Sequence, residues 1–301
     1  MAQTTNNNLR GISYTLSSGL MYGLVGFFGI KLMENGLSIS NMLFWRFLVA
    51  SIINFALFIP KRKIEMQQIN SLQVFYGFMN GLLFYSASSI LYFMSAKYIG
   101  TGLSIVIFFT YPIFVAILSW FFDGHKVTKI HYFSIGLIIL GSICLIDRGE
   151  VVMDISGIIL AFIASCTYGL YIFASKKQIK SLTPLMSTFT VCIANTILFF
   201  VFSLVDGSFM VPHGTINWIY IFGMANLCTV FPILFLLEGL KYISASKASI
   251  LSVLEPVFVV LIGVAFLGET IGTMQIVGML VILTSALVIN FEKKTPAKIK
   301  K

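Results

Sequence analysis

Charged side chains are scarce in this sequence. They make up 10% of its 301 residues, against about 25% in a soluble domain, too few to cover a water-facing surface. A soluble globular protein is thereby excluded. Histidine occurs three times, at His125, His131 and His213, scattered over loops and helix ends. HExxH, Gly-x-Ser-x-Gly and Walker motifs are all missing, as is a facing pair of carboxylates, so the familiar signatures of hydrolases and ATPases are absent. A membrane-embedded enzyme remains a remote alternative, since it needs acid, base or metal ligands converging at one depth. The four cysteines (Cys144, Cys166, Cys192, Cys228) all fall inside apolar segments without CxxC or metal-site spacing. They read as small buried hydrophobes, and neither a metal nor a cofactor is expected.

What the chain has in abundance is apolar length. It is 58% hydrophobic, with a mean hydropathy of +0.95. Apolar segments fall at about 11–32, 41–59, 72–94, 100–122, 131–147, 156–175, 185–205, 216–237, 244–267 and 272–290. Runs of roughly 20 residues match a bilayer core of about 30 Å. The sequence therefore predicts an all-α integral membrane protein with ten transmembrane helices. Its polar start is followed by an apolar run that continues as a full span, unlike a cleavable leader. The net charge of +9 does not point to nucleic acid, because Lys and Arg concentrate in short loops and the tail. Fifteen lie on one set of loops and ends, against Lys31, Lys97 and Arg148 on the other. The positive-inside rule then places both termini in the cytoplasm, in a plasma membrane expected to be a bacterial inner membrane.

Internal repetition decides the architecture. A shift of 146 aligns Gly11-Ile12 with Gly157-Ile158, Tyr22-Gly23-Leu24 with Tyr168-Gly169-Leu170, Phe27 with Phe173, and Lys31 with Lys177. Shifting by 144 aligns Lys97-Tyr98-Ile99 with Lys241-Tyr242-Ile243, and Pro112, Phe114, Val115, Phe122 and Gly124 with Pro256, Phe258, Val259, Phe266 and Gly268. The chain reads as two five-helix repeats, residues 11–147 and 156–290, with polar cytoplasmic tails at 1–10 and 291–301. The loop from Asp147 to Asp154 is the expected junction. Five spans is an odd number, so the second repeat enters the membrane from the opposite side. Inverted repeats of this kind suit alternating access, with solute bound near the midplane between the halves.

Glu255 sits immediately before Pro256 inside an apolar run, and its repeat mate is Tyr111 before Pro112. An ionisable group at membrane depth faces a bundle interior or a wet path, which makes Glu255 the first candidate for binding a solute amine or carrying a coupling proton. The competing reading is a structural acid bonded to neighbouring helices. Proline breaks a helix locally, so Pro112 and Pro256 are candidate hinges. Tyr22 and Tyr168 are mid-span in both repeats, followed by Tyr85, Asn80 and Asn226 as candidate wall residues among many aromatics that serve packing. Lys247 shares a helix face with Glu255 about two turns away and is expected to pair with Glu238 or snorkel to the interface. Arg46 reads as a structural or gating residue. Gly19-x-x-x-Gly23 and Gly77-x-x-x-Gly81 read as close helix contacts within the monomer.

Tyr-Pro-Ile-Phe-Val at 111–115, Glu-Pro-Val-Phe-Val at 255–259, Trp45-Arg46-Phe47, and the Lys-Tyr-Ile before spans 4 and 9 resemble the EamA-type, ten-helix branch of the drug/metabolite transporter superfamily over about residues 11–290. The resemblance implies a central cavity lined mainly by spans 1, 3, 4, 6, 8 and 9. It also implies carriage of amino acids, their derivatives, nucleotide-like metabolites or vitamins. One departure is visible: the glutamate that usually ends the fourth span of a repeat is Glu269 in the second half, whereas His125 stands there in the first. The expectation is a secondary transporter or facilitator of a small polar organic solute, an amino acid or related metabolite, with proton coupling through Glu255 as a candidate drive. An uptake carrier for a larger nucleotide-derived cofactor or vitamin is the alternative. The expected partners are the small-molecule solute and the lipid bilayer, with no nucleic acid.

Overall fold

In lipid every backbone polar group must be satisfied internally, and a helix does this within one segment. The structure, a computed structural model, describes residues 2–68, 70–124, 128–145, 154–267 and 272–290. Every regular element among them is helical. In chain order these are α1 (Ala2–Tyr22), α2 (Val25–Glu34), α3 (Ile39–Gln68), α4 (Ser71–Met79), α5 (Ser86–Phe108), α6 (Tyr111–Asp123) and α7 (Lys129–Leu145), then α8 (Ile155–Gln178), α9 (Pro184–Val205), α10 (Thr215–Ala225), α11 (Phe231–Tyr242), α12 (Ala245–Ser252), α13 (Glu255–Ile262) and α14 (Thr273–Asn290). Joined where they run on, they give eight helices long and apolar enough to cross a membrane, plus two shorter apolar helices, Lys129–Leu145 and Thr273–Ile289. The shorter two sit at the low end of the length that spans a bilayer.

Several spans are interrupted. Wide π turns run through Asn80–Tyr85 between α4 and α5, through Asn226–Val230 between α10 and α11, and through Gly263–Leu267 after α13. Gly100, at φ 75°, makes the sharp corner between spans 3 and 4 that a residue with a Cβ resists. Oxygen-bearing side chains close helix starts: Asp154 accepts from the backbone N–H of Ser156 and Gly157, Thr183 from Met186, and Ser244 from Lys247.

Packing pairs most spans with a counterpart from the other repeat. The α1 helix lies along α11 and α5 along α8, while α3 lies along α9 and α7 along α14. Small residues make these approaches possible, since lipid supplies no hydrophobic drive between helices. At the α7–α14 contact a Cβ on Gly278 would fall 2.5 Å from the Gly141 carbonyl oxygen, so the two backbones touch. Ser134 and Ser285 donate to each other's carbonyls across the same seam. Polar side chains such as Thr188, Asn195, Ser203 and Ser285 are buried, whereas Phe55, Phe121, Phe133 and Leu287 are exposed on the outside, as lipid-facing residues would be.

Both Gly-x-x-x-Gly patterns make contacts inside the monomer. Gly19 lies near the Ser252 carbonyl, Gly23 on Phe258, Gly77 beside Gln178 and Thr190, and Gly81 on Val191. The aligned glycines also meet aligned partners. Gly11 packs on Tyr242 and Ile243, and Gly157 on Tyr98 and Ile99. Gly23 packs on Phe258, and Gly169 on Phe114. The loop 147–150, His125, Glu269 and the tail beyond residue 290 lie outside the described residues.

Candidate functional site

The spans break where the sequence puts X-Pro. The α5 helix stops at Phe108 and α6 restarts at Tyr111, while α12 stops at Ser252 and α13 restarts at Glu255, each with proline in the new first turn. Proline has no N–H to give and its ring crowds the carbonyl four residues back, which favours a break at these two places, although α3 runs on through Pro60. Span 1 breaks too, at Gly23-Leu24, without proline. Glu255 thus becomes an acidic residue in the first turn of a helix, where the helix dipole favours negative charge.

A cavity of about 450 Å³ opens beside these breaks. Its lining comes from both ends of the span 1 break (Tyr22, Gly26, Gly29), from α3 (Met42, Arg46), and from the π turn and start of α5 (Tyr85, Ser88, Ser89, Tyr92). Phe108, Tyr168, Met224 and Glu255 complete the wall. The cavity runs from Glu255 to Met33, which is exposed at the end of α2.

Aromatic rings form its floor. Tyr85 and Tyr171 meet edge to face at 5.0 Å, Tyr168 and Phe108 lie 5.2 Å apart, and Tyr168 meets Tyr111 at 4.8 Å. Such pairs contribute about 0.5–1.5 kcal/mol each beyond the area they bury. The hydroxyls of Tyr22 and Tyr171 are buried without a well-formed hydrogen bond.

Arg46 is held by the π turn of span 8. Its Nε donates to Thr229 Oγ1 at 2.6 Å and its Nη2 to the Cys228 carbonyl oxygen at 2.6 Å, with the guanidinium 5.1 Å from the Phe47 ring. No ion pair joins Arg46 to Glu255, and the Glu255 side chain has no hydrogen bond among the described residues. One cation and one carboxyl group therefore border a single space without neutralising each other by contact.

The residues singled out in the sequence separate into groups. Glu255, Tyr22, Tyr85 and Tyr168 line the cavity. Tyr111 stands behind it, only 1% exposed, with its hydroxyl donating to the Ser249 carbonyl oxygen at 3.1 Å. Asn80 is off the cavity and ties span 3 to the end of α8 through Ser175 and Gln178. Asn226 bonds to Phe222 in its own helix. Both asparagines open π turns at the same repeat position.

Lys247 and Glu255 do not share a continuous helix face, because the break at Val253-Leu254 lies between them. The Lys247 ammonium reaches Asn8 Oδ1, and Glu238 pairs with Lys241 at 2.9 Å. Arg46, read from sequence as structural, is both a tie to span 8 and part of the cavity wall. Its span joins the lining, which the resemblance did not imply. Ser88 and Ser89 were missed, since serine in a buried span carries no signal of which way it faces.

Comparison with known proteins agrees in one direction. The model of the EamA-like transporter family matches the chain twice, over residues 9–146 and 155–291. The chain is 26% identical over 219 residues to sll1319, an uncharacterised transporter of Synechocystis sp., a match spanning 69% of this chain and 64% of that one. It is 25% identical over 252 residues to YyaM, an uncharacterised transporter of Bacillus subtilis, across 81% of each. A solved crystal structure superposes with a TM-score of 0.79 over 94% of this chain and 96% of its own, at 15% identity, a likeness of fold.

Proposed function

The chain belongs to the EamA-like transporter family, and from that premise we propose that it carries a small polar organic solute, an amino acid or related metabolite, by alternating access between two inverted five-helix halves. The observation that carries this reading is the cavity that starts at the broken helix bearing Glu255 and ends at the exposed Met33. A site with apolar walls and a few placed polar groups suits an amphipathic metabolite. Its volume of about 450 Å³ is toward the small end for ligand pockets, which favours a solute of amino-acid size over a nucleotide-derived cofactor.

Inversion of the halves is supported by the packing. Span 1 with span 8 and span 6 with span 3 are the same pairing with the repeats exchanged, as a twofold axis in the membrane plane requires. The state is outward-open. Its cavity leads toward the side of Lys31 and Lys97, which the charge rule makes external, while the segment Ala245–Ser252 on the other side is buried throughout. Both termini are then cytoplasmic, in a plasma membrane. Movement turns on the breaks before Pro112 and Pro256, and a proton on Glu255 is the candidate coupling.

Purified protein in proteoliposomes, assayed by counterflow over a panel of amino acids and related metabolites at several pH values, tests the reading. Saturable exchange of at least one solute is expected. Absence of any saturable movement under every gradient removes it.

A further inference from the structure

Resting on that reading, we infer that Arg46 is a second solute anchor. Its guanidinium takes the anionic end of the solute while Glu255 takes the cationic end, so the cavity selects zwitterions over amines, esters and simple carboxylates.

Two groups of opposite charge share a space and do not touch. Arg46 is 6% exposed and lines the same cavity as Glu255. A buried charge left without a counter-charge is costly, so a chain that keeps two of opposite sign apart leaves room for a ligand to bridge them. The guanidinium is also aimed. Thr229 Oγ1 and the Cys228 carbonyl hold Nε and Nη2, while Nη1 has no hydrogen bond among the described residues. Both partners belong to the Asn226–Val230 π turn, the kind of local widening that recurs at functional sites. A fixed planar fork is the geometry that suits a carboxylate.

A separate observation points to the same occupant. The Tyr22 side chain lines the cavity, and its buried hydroxyl makes no well-formed hydrogen bond among the described residues. Left unpaired a buried hydroxyl is unfavourable, and a polar solute bound between Arg46 and Glu255 would satisfy it. Met42 and Phe108 supply apolar wall for the rest of the solute. A purely structural Arg46, tying span 2 to span 8, would need neither the free nitrogen nor the shared cavity.

The test measures inhibition of counterflow in proteoliposomes of the full-length chain. The probes are L-leucine, L-methionine and L-phenylalanine, each beside its methyl ester, its decarboxylated amine and its deaminated carboxylate. Wild type is expected to prefer at least one zwitterion over its ester and amine by about tenfold, the worth of one charge-assisted contact. Arg46→Gln should collapse the zwitterion-to-ester ratio toward one, and Glu255→Gln the zwitterion-to-carboxylate ratio. Arg46→Lys, which keeps the charge and loses the fork, should fall between. Thr229→Val, which removes one of the two bonds that hold the fork, should lower the ester discrimination by about threefold.

A wild-type chain that moves a probe without preferring zwitterions overturns the inference and leaves transport standing. No movement of any probe or panel solute removes the transport reading as well. Should Arg46→Gln fail to fold, Arg46→Lys and Thr229→Val decide, and an unchanged zwitterion-to-ester ratio in both overturns the assignment.

Discussion

The two helix breaks are alike in backbone and opposite in use. At Phe109-Thr110 and at Val253-Leu254 the chain leaves one helix and restarts two residues later at X-Pro. Each restart packs three residues on, Phe114 or Phe258, against an aligned glycine, Gly169 or Gly23. Yet Tyr111 is sealed behind the aromatic floor with its hydroxyl bonded, whereas Glu255 faces the cavity. The halves also differ along spans 1 and 6. Gly26 and Gly29 border open space, and the positions 146 residues on are the buried Ile172 and Ser175. The shared backbone supplies a place where helices can be interrupted, and the side chains decide which break borders the cavity.

The largest effect expected from that difference comes from filling the open side. A Cβ at Gly26 meets nothing within 4 Å, so Gly26→Leu should insert a side chain into the cavity without displacing a neighbour. Counterflow is expected to drop close to background while thermal unfolding barely moves. Gly23→Ala, three residues away, is the opposite case: its Cβ would fall 2.7 Å from that of Phe258. It should cost about 1–3 kcal/mol of stability, read as a lowered unfolding midpoint. Normal flux through Gly26→Leu would show that this cavity is not the path.

Next in size is Glu255→Gln. Loss of one charge-assisted contact is expected to weaken apparent solute affinity by about tenfold and to flatten the pH profile, with expression retained. Arg46, Tyr85, Tyr92 and Tyr168 line the same cavity as Glu255. A pH profile identical to wild type would remove Glu255 from any coupling step.

A smaller effect is expected at the closed side. Lys177 lies over Phe122 and Phe173, at 5.1 and 4.5 Å, and 3.7 Å from Asp123. Its mate Lys31 pairs instead with Glu34 at 2.9 Å, and the aligned rings Phe27 and Phe266 lie 5.8 Å from each other. Partly exposed contacts of this kind are worth about 1 kcal/mol, so Lys177→Ala should favour the inward-open form by roughly fivefold. Spin-label distances between the ends of α6 and α8 would report it, and an unchanged distribution would mean that these contacts do not hold the closed side.

Much of the fold is legible in the sequence because lipid enforces a simple code. Long apolar runs mark the spans, and X-Pro marks both breaks, since the missing N–H acts locally, although Pro60 is carried within α3. The repeat is legible through Gly23, Gly169, Phe114 and Phe258, which keep their type because two backbones meet there. Placement of the site is less so. Glu255, Tyr22, Tyr85 and Tyr168 announce themselves as polar or aromatic groups at mid-span, whereas Tyr111 looks the same and lies behind the wall. What separates them is the rotation of each helix against its neighbours, which no single span encodes. Arg46 was read as structural because a lone cation near a span end can snorkel, and only the distant Cys228 carbonyl and Thr229 hydroxyl turn it inward. The π turn at Asn80 and the break at Gly23-Leu24 have no proline to announce them.

The smallest effect tests the comparison from its quieter side. Tyr111→Phe removes one hydrogen bond, from the hydroxyl to the Ser249 carbonyl oxygen at 3.1 Å, and keeps the ring that meets Tyr168 at 4.8 Å. A bond of that kind is worth about 0.5–1.5 kcal/mol, which corresponds to a fall of roughly 1–6 °C in the unfolding midpoint. Because the phenol does not border the cavity, apparent solute affinity should stay within about twofold of wild type, well short of the tenfold change expected at Glu255. If Tyr111→Phe instead weakened affinity as much as Glu255→Gln, the first break would be part of the site in some other state of the cycle. The division of labour between the halves would then be one of conformation, with each break taking its turn at the solute, and the side-chain asymmetry would have to be explained by two chemically different half-cycles.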